Sequence, residues 1–218
     1  MQALTETLVE QEAKATLYSL LAKALNYPDD QLVDAIAKGE FAEALAGSLE
    51  ALGQGSIGRH VRQFGKDMRR KPINRKNLLL ELEKDYTWMF FASKPRAAYL
   101  FESVYREGKL LQDSTFEIAG LYRDAGLVLN EDFRLPPDHI AVELEFLSFL
   151  FFKELEGHKK EKQETVAYAR ELQAAVVDRH LRSFAQNVAE RLTQHAKTSF
   201  YKTVARVLGT IFSQKAPA

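Results

Sequence analysis

Apolar residues recur three and four positions apart along almost the whole chain, the spacing that gathers side chains on one face of an α-helix. The first stripe, Val9, Ala13, Leu17, Leu20, Leu21, Ala24 and Leu25, ends at Asn26-Tyr27-Pro28, where the proline stops the helix. The same spacing predicts further helices over about 30–37, 40–52, 56–70, 76–91, 114–125, 138–156, 160–177, 179–195 and 198–213. No run alternates as a half-buried strand would. The chain is therefore predicted to be all-α, a single globular domain of about ten helices spanning 1–218. The connection Gly126 to Pro137, GLVLNEDFRLPP, divides it into lobes 1–125 and 138–218 and is read as a hinge. Exchange of the C-terminal helices across 126–137 would give a domain-swapped dimer beside the monomer.

One stretch competes with that reading. GQGSIG, Gly53 to Gly58, fits the dinucleotide pattern G-x-G-x-x-G, which works when the glycines follow a strand and open a helix against a pyrophosphate. Here Phe41, Ala44, Leu45, Leu49 and Leu52 form a helical face just before it, so the strand is missing. Glu81 and Glu83 lie at the distance of the ribose-binding acid but fall in LLLELEKDY, another predicted helix. The glycines are expected to shape a helix-loop-helix turn and to bind no dinucleotide.

Composition narrows the function. Lys+Arg and Asp+Glu both number 30, so no net field draws the chain to nucleic acid or an anionic membrane, and an ionic partner must be met by a local patch. The absence of cysteine excludes disulfides, thiolate nucleophiles and Cys-ligated zinc, and suits a reducing compartment. Glu6, Glu10 and Glu12 interrupt the N-terminal apolar pattern, which is not that of a signal peptide, and no apolar run reaches the ~20 residues that cross a bilayer. His60, His139, His158, His180 and His195 are dispersed, with neither H-E-x-x-H nor a di-iron E-x-x-H pair. No serine sits in G-x-S-x-G, and there is no P-loop for a guanine nucleotide. Neither a metal nor a cofactor is expected.

Three segments offer binding chemistry instead. DYTWMFFASKP groups Tyr86, Trp88, Met89, Phe90 and Phe91 before a proline-bearing loop, and such side chains are adaptable apolar contacts. In YLFESVYREGKLLQDSTFE, the run Glu102-Ser103-Val104-Tyr105 places polar and aromatic groups in a connection, while Asp113 and Ser114 are expected to cap the next helix. In RLPPDHIAVELEFLSFLFF, Pro136-Pro137 stiffens a helix entrance where Asp138 meets the positive end of the dipole. His139, four residues before Glu143, is expected to pair with it.

The motifs Tyr86-x-x-Met89-Phe90, Glu102-Ser103-Val104-Tyr105, Asp113-Ser114-Thr115 and Pro137-Asp138-His139 with Glu143-Leu144-x-Phe146 resemble, in order and spacing, the TorD/DmsD family. A weaker match runs through His180-Leu181-x-x-Phe184 and Phe200-Tyr201, so that the resemblance covers about residues 10 to 213. The resemblance implies a cytoplasmic, non-enzymatic chaperone that binds the twin-arginine leader and immature catalytic subunit of a molybdopterin oxidoreductase, holding it until the cofactor is inserted and delaying export. A leader carries an arginine pair before an apolar stretch, so its receptor needs acidic groups for the guanidinium and an apolar groove alongside. Asp138, Glu102 and Glu143 are the expected charges. Tyr86, Met89, Phe90, Val104 and Tyr105 are the expected groove, and His139 would orient a carboxylate or sense pH.

The chain departs from the family at His180-Leu181-Arg182-Ser183-Phe184-Ala185-Gln186, which lacks the tryptophan and proline of H-L-x-x-W-x-P, and at Ser93-Lys94-Pro95-Arg96, which replaces a loop rich in proline and tryptophan. Both departures bear on the choice of client, which the residues do not name. Two other classes stay open at this point: a helical protein–protein adaptor without leader specificity, and an acid–base enzyme using Asp138 and His139.

Overall fold

A computed structural model of the chain describes residues 2–70, 74–128 and 135–213. They form one helical domain of eleven α-helices and no strands: α1 Gln2–Leu25, α2 Asp30–Lys38, α3 Glu40–Ala51, α4 Gly55–Arg70, α5 Arg75–Thr87, α6 Glu102–Glu107, α7 Asp113–Asp124, α8 Ile140–Lys159, α9 Gln163–Val176, α10 Arg182–His195 and α11 Ser199–Ser213. The predicted helices are all present, and α6 is the one that periodicity missed. Six residues are too few to show a helical repeat. Two π-helical turns, Trp88–Ala92 and Val177–Leu181, extend α5 and join α9 to α10. The centre of the expected hinge, 129–134, lies outside the described residues.

The buried helix α8 organises the fold, packed between α1 and α9. Its apolar faces close on α1 through the stacked rings of Tyr18 and Phe151, 5.5 Å apart, and the Ser148 hydroxyl donates to the Ala15 carbonyl at 2.7 Å. A second layer pairs α10 with α11, and α11 meets α4. Phe200 at the start of α11 packs against Phe41 and Phe64. Asp85, buried on α5, accepts from the backbone N–H groups of Lys197 and Thr198 and from the Thr198 hydroxyl. It thereby closes the free N-terminus of α11 from 113 residues away in sequence.

The glycine motif is a helical hairpin, as its surroundings predict. α3 leads into it, Gly53 takes the left-handed conformation at φ 73°, and α4 begins at Gly55. Gly58 and Gly65 lie one above the other on the face of α4 that meets α3. A β-carbon on Gly65 would stand 2.6 Å from that of Ala42, and one on Gly58 would stand 3.0 Å from the Glu50 side chain. Close helix packing, not phosphate approach, accounts for those two glycines.

Candidate functional site

The ESVY and PPDH segments, far apart in sequence, meet edge to edge. Phe101 and His139 form an isolated antiparallel bridge, with the Glu102 N–H donating to the Asp138 carbonyl at 2.9 Å and the Ile140 N–H to the Leu100 carbonyl at 2.9 Å. Pro137 is held to α7 by the Tyr122 hydroxyl, which donates to its carbonyl at 2.7 Å, and the Pro136 carbonyl accepts the His139 N–H at 3.1 Å. The two prolines thus fix the entrance of α8, as expected of their stiffness.

The roles within that entrance are exchanged relative to expectation. Asp138 does not cap α8. Its Oδ2 accepts from the Ser103 N–H at 3.0 Å and the Ser103 hydroxyl at 2.6 Å, and the residue is fully buried. The cap is His139, whose Nδ1 accepts the Ala141 N–H at 3.2 Å. An acceptor Nδ1 means a neutral ring, and burial lowers its pKa to about 4 despite the opposing pull of Asp138. His139 therefore neither pairs with Glu143 nor titrates near neutrality. With Asp138 sealed and His139 committed as a cap, the pair has no access to a substrate, which removes the acid–base reading.

Three carboxyl groups converge here. Glu102, at the start of α6, is fully buried between His180 Nδ1 at 2.8 Å and Arg106 Nη1 at 3.0 Å. Glu143, one turn into α8, is fully buried with neither oxygen partnered among the described residues, and Asp138 Oδ1 is likewise unpartnered. Burial first, then the neighbouring charges of Glu102 and Asp138, hold the Glu143 pKa well above the usual carboxylate range, against the weaker opposing pull of Arg106. The Tyr122 hydroxyl is pushed up by burial and by the same three carboxyls. Among the described residues no group of His, Asp and Glu has the geometry of a metal site.

On the solvent side of Glu102 stands Arg106, 40% exposed, reaching Glu102, Glu117 at 3.3 Å and Glu107 at 3.9 Å. Glu107 also accepts the Ser114 N–H at 3.3 Å and its hydroxyl at 2.9 Å. The capping expected of Asp113 and Ser114 is therefore supplied by Glu107 from the preceding helix, with Gln112 in the cap position.

The aromatic segment also differs. Tyr86, Met89 and Phe90 are core residues at 3%, 0% and 2% exposure, and so do not line an open groove. Tyr86 donates to the Leu25 carbonyl at 3.3 Å and meets Phe90 edge-on at 4.7 Å. Helical spacing is the reason: Met89 and Phe90 continue the buried stripe of Leu82, Asp85 and Tyr86 at i, i+3 and i+4, and Phe91, off that stripe, is half exposed. Tyr105 is half-buried, accepting the Tyr99 N–H at 3.1 Å and packing on Phe184, and Val104 is half-buried beside it. Tyr99 meets Tyr105 at 6.2 Å, and the Arg96 guanidinium lies over both Tyr99 and Phe91. A partly exposed ridge, Phe91–Arg96–Tyr99–Tyr105, therefore runs toward α6. Sequence reasoning missed Arg106, Arg96 and Tyr99. The Glu102–Arg106 pair has helical i,i+4 spacing and was findable once α6 was known.

Comparison with known proteins bears on the family of the chain. The family model described as nitrate reductase delta subunit matches residues 38–190, a span that includes every carboxyl of the site and His180. The chain is 26% identical over 201 residues to the chaperone protein TorD of Vibrio cholerae, covering 90% of this chain and 87% of that one. It is 31% identical over 137 residues to TorD of Vibrio parahaemolyticus, 62% of each chain. A crystal structure from Archaeoglobus fulgidus, described as of a redox enzyme maturation protein, is 22% identical and covers 93% of this chain and 94% of that one, with a TM-score of 0.49. With 153 of its 218 residues inside that family model, the chain belongs to the nitrate reductase delta subunit family and is a chaperone of TorD/DmsD type.

Proposed function

We propose that this chaperone binds the twin-arginine leader and the immature catalytic subunit of an exported molybdopterin oxidoreductase in the cytoplasm, assists cofactor insertion and delays export. The observation that carries the reading is Arg106: a half-exposed guanidinium gripped by Glu102 and Glu117 in front of buried carboxyls whose hydrogen-bonding capacity is not filled. A site with that chemistry suits arginine, since a guanidinium donates in a planar fork to carboxylates. The ridge Phe91–Arg96–Tyr99–Tyr105 supplies apolar surface beside it for the stretch that follows the arginines. Glu102 and Asp138 set the negative potential from within, Glu143 adds a buried carboxyl whose oxygens are free to accept, and Ser103 with Pro136 and Pro137 holds Asp138 and His139 in place. Tyr86, Met89 and Phe90 act from the core, by supporting the π-helical turn that presents Phe91. The chaperone works as a monomer, with exchange of α8 to α11 through 126–137 giving a minor dimer.

The test is titration of a synthetic leader peptide, with its arginine pair intact or replaced by lysines, against wild type, Glu102→Gln and Phe91→Ala. A preference for arginine of about tenfold or more that Glu102→Gln erases is expected, because charge-assisted contacts contribute about 1.5–3 kcal/mol each. Equal binding of both peptides would remove the guanidinium site from the account and favour a general adaptor.

A further inference from the structure

Arg106 is poorly matched to its place. Glu102 is fully buried, and a buried carboxylate requires a cation or donors around it. Yet the cation supplied is held by single contacts: Nη1 serves both Glu102 and Glu117, and Nε lies 3.9 Å from Glu107, with no two-pronged pair to any of them. Glu107 is further engaged in capping α7. The side chain keeps 40% of its surface in water. Both oxygens of the fully buried Glu143 are unpartnered, and Arg106 is close enough to stabilise its ionised form. The acceptor capacity around this guanidinium thus exceeds what Arg106 uses.

We propose that the carboxyls around α6 form a guanidinium-binding site that Arg106 fills from within the chain, and that an incoming arginine enters by displacing it. The displaced side chain, on a six-residue helix at the surface, swings into solvent. Glu102 keeps His180 throughout, so the site never stands empty of donors. The arriving guanidinium gains by presenting a two-pronged fork to one carboxylate where Arg106 makes single contacts to three. Arg106 is then an internal competitor that sets a threshold: ligands with a lone weak cation do not open the site. The identity of the incoming arginine rests on the leader-binding reading, but the existence of the site does not.

Two measurements test it. The first is leader affinity of Arg106→Ala and Arg106→Lys, with Lys109→Ala as the control that removes the same charge from the adjoining loop. Removing a competitor raises affinity, by about fivefold or more for Arg106→Ala, with Arg106→Lys in between and Lys109→Ala within about twofold of wild type. Unchanged or weaker binding by folded Arg106→Ala, or an equal gain in Lys109→Ala, overturns the proposal. Should Arg106→Ala fail to fold, Arg106→Lys decides on the same criterion. The second measurement needs no leader. N-ethylguanidinium should raise the melting temperature of Arg106→Ala relative to wild type in the same solution, and ethylammonium should not. Absence of that difference refutes the site even if leaders bind. Its presence without leader binding keeps the site and discards the leader.

Discussion

Asp138 Oδ2 takes both hydrogen bonds that Ser103 can give it, from the backbone N–H and from the hydroxyl, and none of the three atoms touches water. This makes Asp138 the clasp between α6 and the entrance of α8, a structural duty beyond the surface cap suggested by its place in the sequence. Asp138→Ala should cost roughly 2–4 kcal/mol, because it leaves two buried donors unmet, whereas Ser103→Ala, which keeps the N–H bond, should cost about 1 kcal/mol. Urea unfolding of the two variants checks the order. A loss under 1 kcal/mol for Asp138→Ala would mean that the clasp is not closed in solution.

The neutral cap His139 gives the stability a definite acid limb. Its folded pKa of about 4 lies below the ordinary 6.5, so the unfolded chain takes up the proton first as pH falls. The contribution is fully present above about pH 6.5 and is lost between there and pH 4, roughly 3 kcal/mol in all. His139→Asn, a cap that does not titrate, should flatten the melting temperature over that window. A slope identical to wild type would place the acid limb elsewhere.

Glu143 works in the opposite sense. Its raised pKa means that the folded state keeps a proton the unfolded chain has already released. Its contribution is present below the ordinary carboxylate range and lost as pH rises toward the folded value. Glu143→Gln, uncharged and similar in shape, should therefore stabilise the protein increasingly from pH 5 to pH 8. Parallel melting curves for wild type and variant across that range would show instead that Glu143 is not held protonated.

The two kinds of glycine in and after the GQGSIG hairpin should separate cleanly. Gly65→Ala forces a β-carbon against Ala42 and should destabilise by roughly 1–3 kcal/mol. Gly55→Ala meets only the end of Arg59 and should be neutral or stabilising by up to about 1 kcal/mol, since alanine favours the helix. Neither melting temperature should respond to NAD, and a saturable shift in wild type that Gly55→Ala abolishes would restore the nucleotide reading.

What the sequence made legible is what repeats or punctuates. Apolar spacing located ten helices to within a few residues, and Pro28 and Pro137 marked boundaries that the structure keeps. The identities of Glu102, Asp138, His139 and Glu143 were also legible, through their motif. Their partners were not. A buried carboxylate and its donor share no spacing rule when they sit on different helices, so Asp138 with Ser103 and Glu102 with His180 had no local signature. The π-helical turn was equally hidden. Its five residues leave no mark on the apolar pattern, because Met89 and Phe90 stay on the stripe of Leu82 and Tyr86 as they would in an α-helix.

The pairing of Glu102 with His180 spans 78 residues of chain. During synthesis the two ends of this contact do not leave the ribosome together: at roughly 5–20 residues per second, Glu102 is out for about 4–16 seconds before its histidine follows. For that interval the acidic segment of the nascent chain has only its local partner Arg106. The site is thus incomplete until His180 emerges, and a chaperone translated only to an earlier point has no finished grip to offer a client made beside it.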